Sequence, residues 1–375
     1  MDVVVTGDFA PIYRTASLIK IKNYKLIYND VLPVLKSADL AISNLETPLT
    51  LSDTKIEKTG SVLKALPESV EAIKYGGISL VTLANNHIFD YGEVGLKDTI
   101  DVLEANQIAY VGAGDCNKKA RKPYVFEKNN KKLSIFSIAE NEWSTTLGNR
   151  YGANPLNEIE NYYDIVTAKK TSDFVLVIVH GGLEYYHLPS PRIKKLFRFF
   201  IDVGADAVIS HHTHYYSGYE IYKNKPIVYG LGNFIFDLPD EIGDWHKGII
   251  AKIDFKGSND ISLELIPILQ NDEKAGVRLA NMEQAKLFMQ EIERINSIIV
   301  DDIKLENEYL NQLHKLEKQY IAYIQPYSNK NLYRLRKLRL IPYDFWTKRK
   351  RLFLINIVRC EAHREALLRI LEAKK

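Results

Sequence analysis

The sequence predicts a layered α/β fold with a C-terminal α-helical extension. Over the first 270 residues, short apolar runs alternate with amphipathic stretches, the pattern of stacked strand and helix layers. Several runs are apolar throughout, as expected for strands covered on both faces. After about residue 275 the chain turns to Leu, Ile, Glu, Lys and Gln with few breakers, which predicts helices. The expected division is therefore a domain over residues 1–270 and a helical, basic extension over 271–375.

Residues 3–6, 40–43, 78–83, 133–138, 174–179, 207–210 and 227–229 read as strands. Between them, residues 67–75, 92–106 and 191–203 carry helical patterns. Pro191 suits a first helical turn. Gly76, Asn106 and Gly204 stand where these helices should stop. Residues 249–255 and 261–266 read as a hairpin-like pair, and 282–324 as helix interrupted at Pro326.

Apolar residues make up 46% of the 375 and charged residues 26%, a globular composition. No apolar run approaches the roughly 20 residues that cross a bilayer. The N-terminus shows no basic start, apolar segment or small-residue cleavage site, so no secretory signal is expected. Cys116 and Cys360 stand far apart and imply no disulfide framework. A cytoplasmic protein is expected on these grounds. The net charge of +3 hides an asymmetry: residues 331–375 carry 13 Lys/Arg against 4 Asp/Glu. Such a tail suits an acidic partner or a membrane surface, or is simply a solvated helical face. Tyr333, Phe345, Trp346 and Phe353 would add interfacial contact, and packing within the extension explains them equally. The rest of the chain is acidic and has no evident basic groove, which argues against nucleic acid.

Polar groups that suit a metal stand directly after five of the expected strands. They are Gly7-Asp8, Asn44-Leu45-Glu46, Asn85-Asn86-His87 with Asp90, His180-Gly181-Gly182 with Glu184, and His211-His212-Thr213-His214. Ligands of open α/β sheets bind outside the carboxyl ends of the strands. These groups are therefore expected to converge, although they span about 200 residues. Imidazole suits Zn, Mn or Fe, and a carboxylate can bridge two ions. A bland reading stands beside each: Asp8 as a turn cap, Glu46 as a surface charge, His87 as a buried, satisfied histidine.

In order, Gly-Asp, Asn-Leu-Glu, Asn-Asn-His-x-x-Asp-x-Gly, His-Gly-Gly-x-Glu-Tyr, His-His-x-His and Gly-Asn-Phe-x-Phe-Asp resemble the CapA family. That family is named for poly-γ-glutamate capsule synthesis and is related to calcineurin-like phosphoesterases. The resemblance spans about residues 2–240 and implies a metallophosphatase-like layered α/β sandwich. It implies Asp8, Glu46 and His214 around one ion, with Glu46 bridging, and Asn86, His180 and His212 around a second. It makes His87 the general acid, with Asp90 orienting it. Asn44, Glu184, His211 and Asn233 become supporting or substrate-binding residues. The implied cofactor is one or two divalent ions, Mn, Zn or Fe.

The sequence also departs from its wider superfamily. Ordinary members have Asp-x-His at the first strand, where this chain has Asp8-Phe9-Ala10. Asn-Leu-Glu stands in place of Gly-Asp-x-x-Asp. Two functions are therefore expected as rivals. One is a metal-dependent hydrolase acting on a phosphoester, or an amide, of a capsule polymer. The other is a non-catalytic accessory subunit of a capsule synthesis complex, with a structural or vestigial metal site.

Overall fold

The computed structural model describes residues 1–323, except 59 and 258–259, together with 329–342, 347–348, 351 and 354. Phe345, Trp346, Phe353 and Cys360 lie outside the described residues, as does the break expected at Pro326. Along the chain the strands are β1 (Asp2–Ala10), β2 (Leu40–Leu45), β3 (Leu80–Thr82), β4 (Ala109–Val111), β5 (Ala113–Gly114), β6 (Tyr124–Lys128), β7 (Lys131–Ala139) and β8 (Gly152–Ala153). They continue as β9 (Phe174–His180), β10 (Ala207–His211), β11 (Tyr219–Tyr222), β12 (Lys225–Val228), β13 (Asn233–Phe236), β14 (Lys247–Gly257), β15 (Asp260–Gln270) and β16 (Val277–Leu279).

Two large sheets result. One runs β16-β15-β14-β1-β2-β3-β4, with β13 also pairing to β1; the other runs β11-β12-β10-β9-β7-β6. One apolar cluster draws on both: Val3, Val5 and Ile42 from the first sheet, Val177, Ile178 and Val208 from the second. β9 is buried at every position, as its unbroken apolar run requires. The expected hairpin is the antiparallel pair β14–β15.

Helices pack against the sheets. Pro191–Asp202 begins with Ser190 accepting from the Ile193 amide and proline in the first turn, and buries Ile193, Leu196, Phe197, Phe200 and Ile201. This is the i, i+3, i+4 stripe of an amphipathic helix. Met282–Ile299 opens with a capping box of Asn281 and Gln284 and buries Phe288, Ile292, Ile295 and Ile299. Those four side chains belong to the same apolar cluster as the sheets. The compact first unit accordingly runs Met1–Glu306, and the second is Asn307–Lys375. The change of composition near residue 275 marks a switch from strand to helix, not the end of the core. In the second unit, Lys330–Lys337 is a basic helix with no buried residue. Among the described residues, no helix is long and apolar enough to cross a membrane.

Candidate metal centre

Strand register brings the polar groups together. Asp8 of β1 pairs with Asn44 of β2 on one side and with Asn233 of β13 on the other. In the second sheet His180 ends β9 directly opposite His211 at the end of β10. The apolar pattern predicts that β1 stops before Asp8, but the strand runs on to Ala10 with an irregular register between Val5 and Asp8. Such a bulge re-aims the side chain beyond it. Gly7 permits it: a Cβ there would meet the carbonyl oxygen of Gly232 at 2.0 Å.

Asp8 is fully buried. Its Oδ1 accepts from the Asn44 amide at 2.7 Å and its Oδ2 from the His212 backbone N–H at 3.3 Å. His214 Nδ1 lies 3.8 Å from Oδ2, and His180 Nδ1 lies 4.0 Å from Oδ1. Asn44 is itself oriented, because its Oδ1 accepts from Thr82 and Asn85.

Glu46, directly after β2, is buried with no hydrogen-bond partner on either carboxylate oxygen. Its Oε1 lies 3.6 Å from His180 Nε2. Burial, then the nearby charge of Asp8, holds its carboxyl well above the ordinary range. A buried carboxylate without a donor costs several kcal/mol (order of magnitude) unless a cation or proton compensates it.

His180 Nε2 lies 3.0 Å from Asn86 Oδ1 and 3.1 Å from His212 Nδ1. Burial and the neighbouring histidines depress His180 well below its ordinary pKa, and burial takes His212 and His214 down to about 4. All three are therefore neutral at pH 7, the form that binds a metal. His212 and His214 leave β10 in left-handed backbone, with φ of +89° and +56°, a conformation uncommon outside glycine and concentrated at functional sites. This loop sends them to different groups. Ligand atoms of Glu46, His180 and His212 cluster within 4.8 Å of one another, and so do those of Asp8, Glu46 and His214. Buried acidic and histidine groups are thus positioned to hold a metal ion, and Glu46 belongs to both triads.

Beside the triads, His87 Nδ1 lies 2.7 Å from Asp90 Oδ2. The two sit in a turn closed by the Asp90 N–H on the His87 carbonyl. Asn233 accepts from His214 Nδ1 at 3.0 Å while its own amide nitrogen donates to the Trp245 carbonyl. Held in this way, the imidazole keeps its other nitrogen free. His211 stands apart from both triads. Its Nε2 donates to the Thr6 carbonyl at 2.8 Å, tying the second sheet to β1. Glu184 is exposed, and its negative charge helps raise the carboxyl of Glu46.

Three residues of the site, Trp245, Glu142 and Lys58, escape a reading of the sequence, and a fourth, Asn85, is named there without a role. Asn85, inside the quoted Asn-Asn-His run, holds the turn by accepting from the His87 and Ile88 amides. Trp245 packs its ring 4.7 Å from that of His214. Glu142 places Oε1 3.9 Å from His212 Nε2. Lys58 donates to Asp90 at 2.6 Å. Only Asn85 has a motif to announce it.

Comparisons with known proteins place the chain in a family. The family model "Bacterial capsule synthesis protein PGA_cap" matches residues 2–238. The capsule biosynthesis protein CapA of Bacillus anthracis is 31% identical over 249 residues, covering 63% of this chain and 60% of that protein. The chain thus spans well under two thirds of that relative's length. A probable polyglutamine synthesis accessory protein of Mycobacterium tuberculosis is 27% identical over 293 residues, covering 72% of this chain and 76% of that protein. A 5'-nucleotidase from Candida albicans SC5314 is a looser structural match, with 10% identity and a TM-score of 0.41 over 84% of this chain and 58% of that one. The family match takes in both triads, His87 and Asp90, and the chain belongs to the bacterial capsule synthesis protein PGA_cap family, within the metallophosphoesterase-like superfamily.

Proposed function

We propose that the chain is a metal-dependent hydrolase acting on a phosphoester, or an amide, during synthesis of a capsule polymer. The observation that carries this reading is Glu46: a buried carboxylate with two unpartnered oxygens, shared by two ligand triads. Such a carboxylate fits a bridge between two cations. Asp8 and His214 would complete one ion's shell, and Asn86, His180 and His212 the other's. A bound divalent pair supplies Lewis acidity to a phosphoryl or carbonyl oxygen and makes a water acidic. His87, held through Nδ1 by Asp90, would as the imidazolium pass its Nε2 proton to the leaving group and become neutral imidazole. The neutral histidine cluster keeps the ligands ready for metal at pH 7.

The test is a purified protein loaded with Mn, Zn or Fe and offered a panel of phosphoesters and glutamyl amides. Turnover that EDTA abolishes, and that His87→Ala loses while keeping its metal, supports the reading. Metal-loaded protein with no turnover on any substrate, or a His87→Ala variant with full turnover, contradicts it.

A second reading, a non-catalytic accessory subunit, draws on Ala10. This buried apolar residue stands where ordinary superfamily members carry a histidine, leaving the first triad with one imidazole. The printed name of the M. tuberculosis relative is also that of an accessory protein. Capture of capsule synthase components by a protein without turnover would favour it. Peripheral membrane contact through the basic tail is a further proposal, tested by sedimentation with anionic vesicles.

A further inference from the structure

We propose that Lys58 is a positioning residue, whose ammonium group fixes the His87–Asp90 pair beside the metal centre. Only the activity arm of its test rests on the hydrolase reading above.

Soon after Glu46 the chain enters a loop closed at its base. The Thr50 amide donates to the Ala65 carbonyl and the Ala65 amide to the Pro48 carbonyl, each at 3.0 Å. A loop of this length with touching ends is an Ω-loop, packed by its own side chains. Leu51, Asp53, Thr54, Lys55, Glu57, Gly60 and Ser61 are exposed. Lys58 is the contrast, with a side chain only 3% exposed. Lysine is almost never buried without a partner, and here the partners lie on one target. Its Nζ donates to Asp90 Oδ1 at 2.6 Å and to the Asn86 carbonyl at 3.2 Å.

Two more donors from the same loop reach Asp90: the Ile56 amide to its carbonyl at 2.9 Å and the Leu63 amide to Oδ2 at 2.8 Å. Asp90 is thereby held at both carboxylate oxygens. A carboxylate held at one oxygen can still swing about its terminal torsion, which is broad; one held at both cannot. Oδ2 is also the atom that faces His87 Nδ1. Fixing Asp90 therefore fixes the plane of the His87 ring. The second bond of Lys58 holds the backbone of Asn86, whose amide oxygen lies 3.0 Å from His180 Nε2. One ammonium group thus braces both the proposed proton donor and an amide of the second ligand group.

A buried ion pair could instead serve only to keep the loop closed. Proton NMR of the zinc-loaded full chain separates the two roles, because an imidazole N–H bonded to a carboxylate gives a resolved downfield signal. The His87 signal is assigned by its loss in His87→Ala. The expected result is that Lys58→Arg keeps this signal, while Lys58→Met loses or shifts it with zinc content and cooperative melting unchanged. Should Lys58→Met not fold, Lys58→Gln serves the same readout, since it keeps a donor and loses the charge. An unmoved signal in the folded Met or Gln variant overturns the proposal, as does a wild type with no such signal.

The activity arm uses bis(p-nitrophenyl) phosphate. The expected loss is about 100-fold in kcat, the scale of a 1 Å misplacement, with KM unchanged and partial rescue by Lys58→Arg. A wild type that turns over nothing defeats the hydrolase reading, while the NMR signal still decides the role of Lys58.

Discussion

The Glu46 carboxylate lies 3.6 Å from Nε2 of His180, and neither of its oxygens meets a hydrogen-bond donor. Two buried groups of this kind gain from a cation between them and lose without one. Glu46→Gln should therefore weaken metal binding by more than the roughly 10–100-fold typical of losing an outer partner. It should also shrink the rise in melting temperature that metal produces, since that rise depends on affinity. Metal titration and then calorimetry check both, and unchanged affinity would remove Glu46 from the ligand set.

The histidines give the metal-free protein a defined acid response. His212 and His214 sit at about 4, and His180 well below 6.5. Below pH 6.5 the unfolded chain takes up these protons and the folded chain does not. Their contribution to stability is complete above 6.5 and is lost as pH falls toward 4. Glu46 has the opposite sign: its raised carboxyl contributes below 4.5, and that contribution is lost as pH rises. Glu142 and Glu184 are raised as well, so at this site the carboxyls and the histidines oppose one another, and the histidine share is isolated by substitution. In EDTA-treated protein, His212→Gln should flatten the slope of stability between pH 4 and 6.5 by about 1.4 kcal/mol per pH unit. Denaturant titrations across that window check it, and an unchanged slope would contradict it.

Asn233 accepts from His214 Nδ1 and would reach a bound metal through that imidazole. Asn233→Ala should cost about 10–100-fold in metal affinity. It should also cost about 0.5–1.5 kcal/mol of stability, because the Trp245 carbonyl loses one of two donors and keeps the Gln270 amide. Parallel metal titrations and melts separate the two effects.

His211 should behave differently despite its place in the histidine run. His211→Phe removes the donor to the Thr6 carbonyl and should destabilise the fold by about 1–3 kcal/mol, while the protein keeps its metal. Loss of metal from a folded His211→Phe would place His211 among the ligands.

Much of this site is legible in the sequence because strand ends are legible. The apolar runs before Asn44, His180 and His211 mark strands, and residues at the carboxyl end of a parallel strand lie at the rim where ligands bind. Register then does what the sequence cannot show, placing Asp8 between Asn44 and Asn233. The bulge at Gly7 is hidden because its cause, the close approach of Gly232, lies over 200 residues away. Lys58 and Trp245 are hidden because an irregular loop and a short 3-10 turn carry no hydrophobic period. The helix Met282–Ile299 is expected from its composition, but its place in the main core is not, since an amphipathic stripe does not say which surface it covers.

Side chains from both sheets converge on Glu46 and are positioned to hold a divalent cation. Anomalous diffraction from crystals of the manganese-loaded protein tests this arrangement most directly. Anomalous density is expected where Glu46, His180 and His212 converge, with Asp8 and His214 facing the same carboxylate. Manganese-loaded crystals with no anomalous density among these residues, or with the ion bound elsewhere, would contradict it.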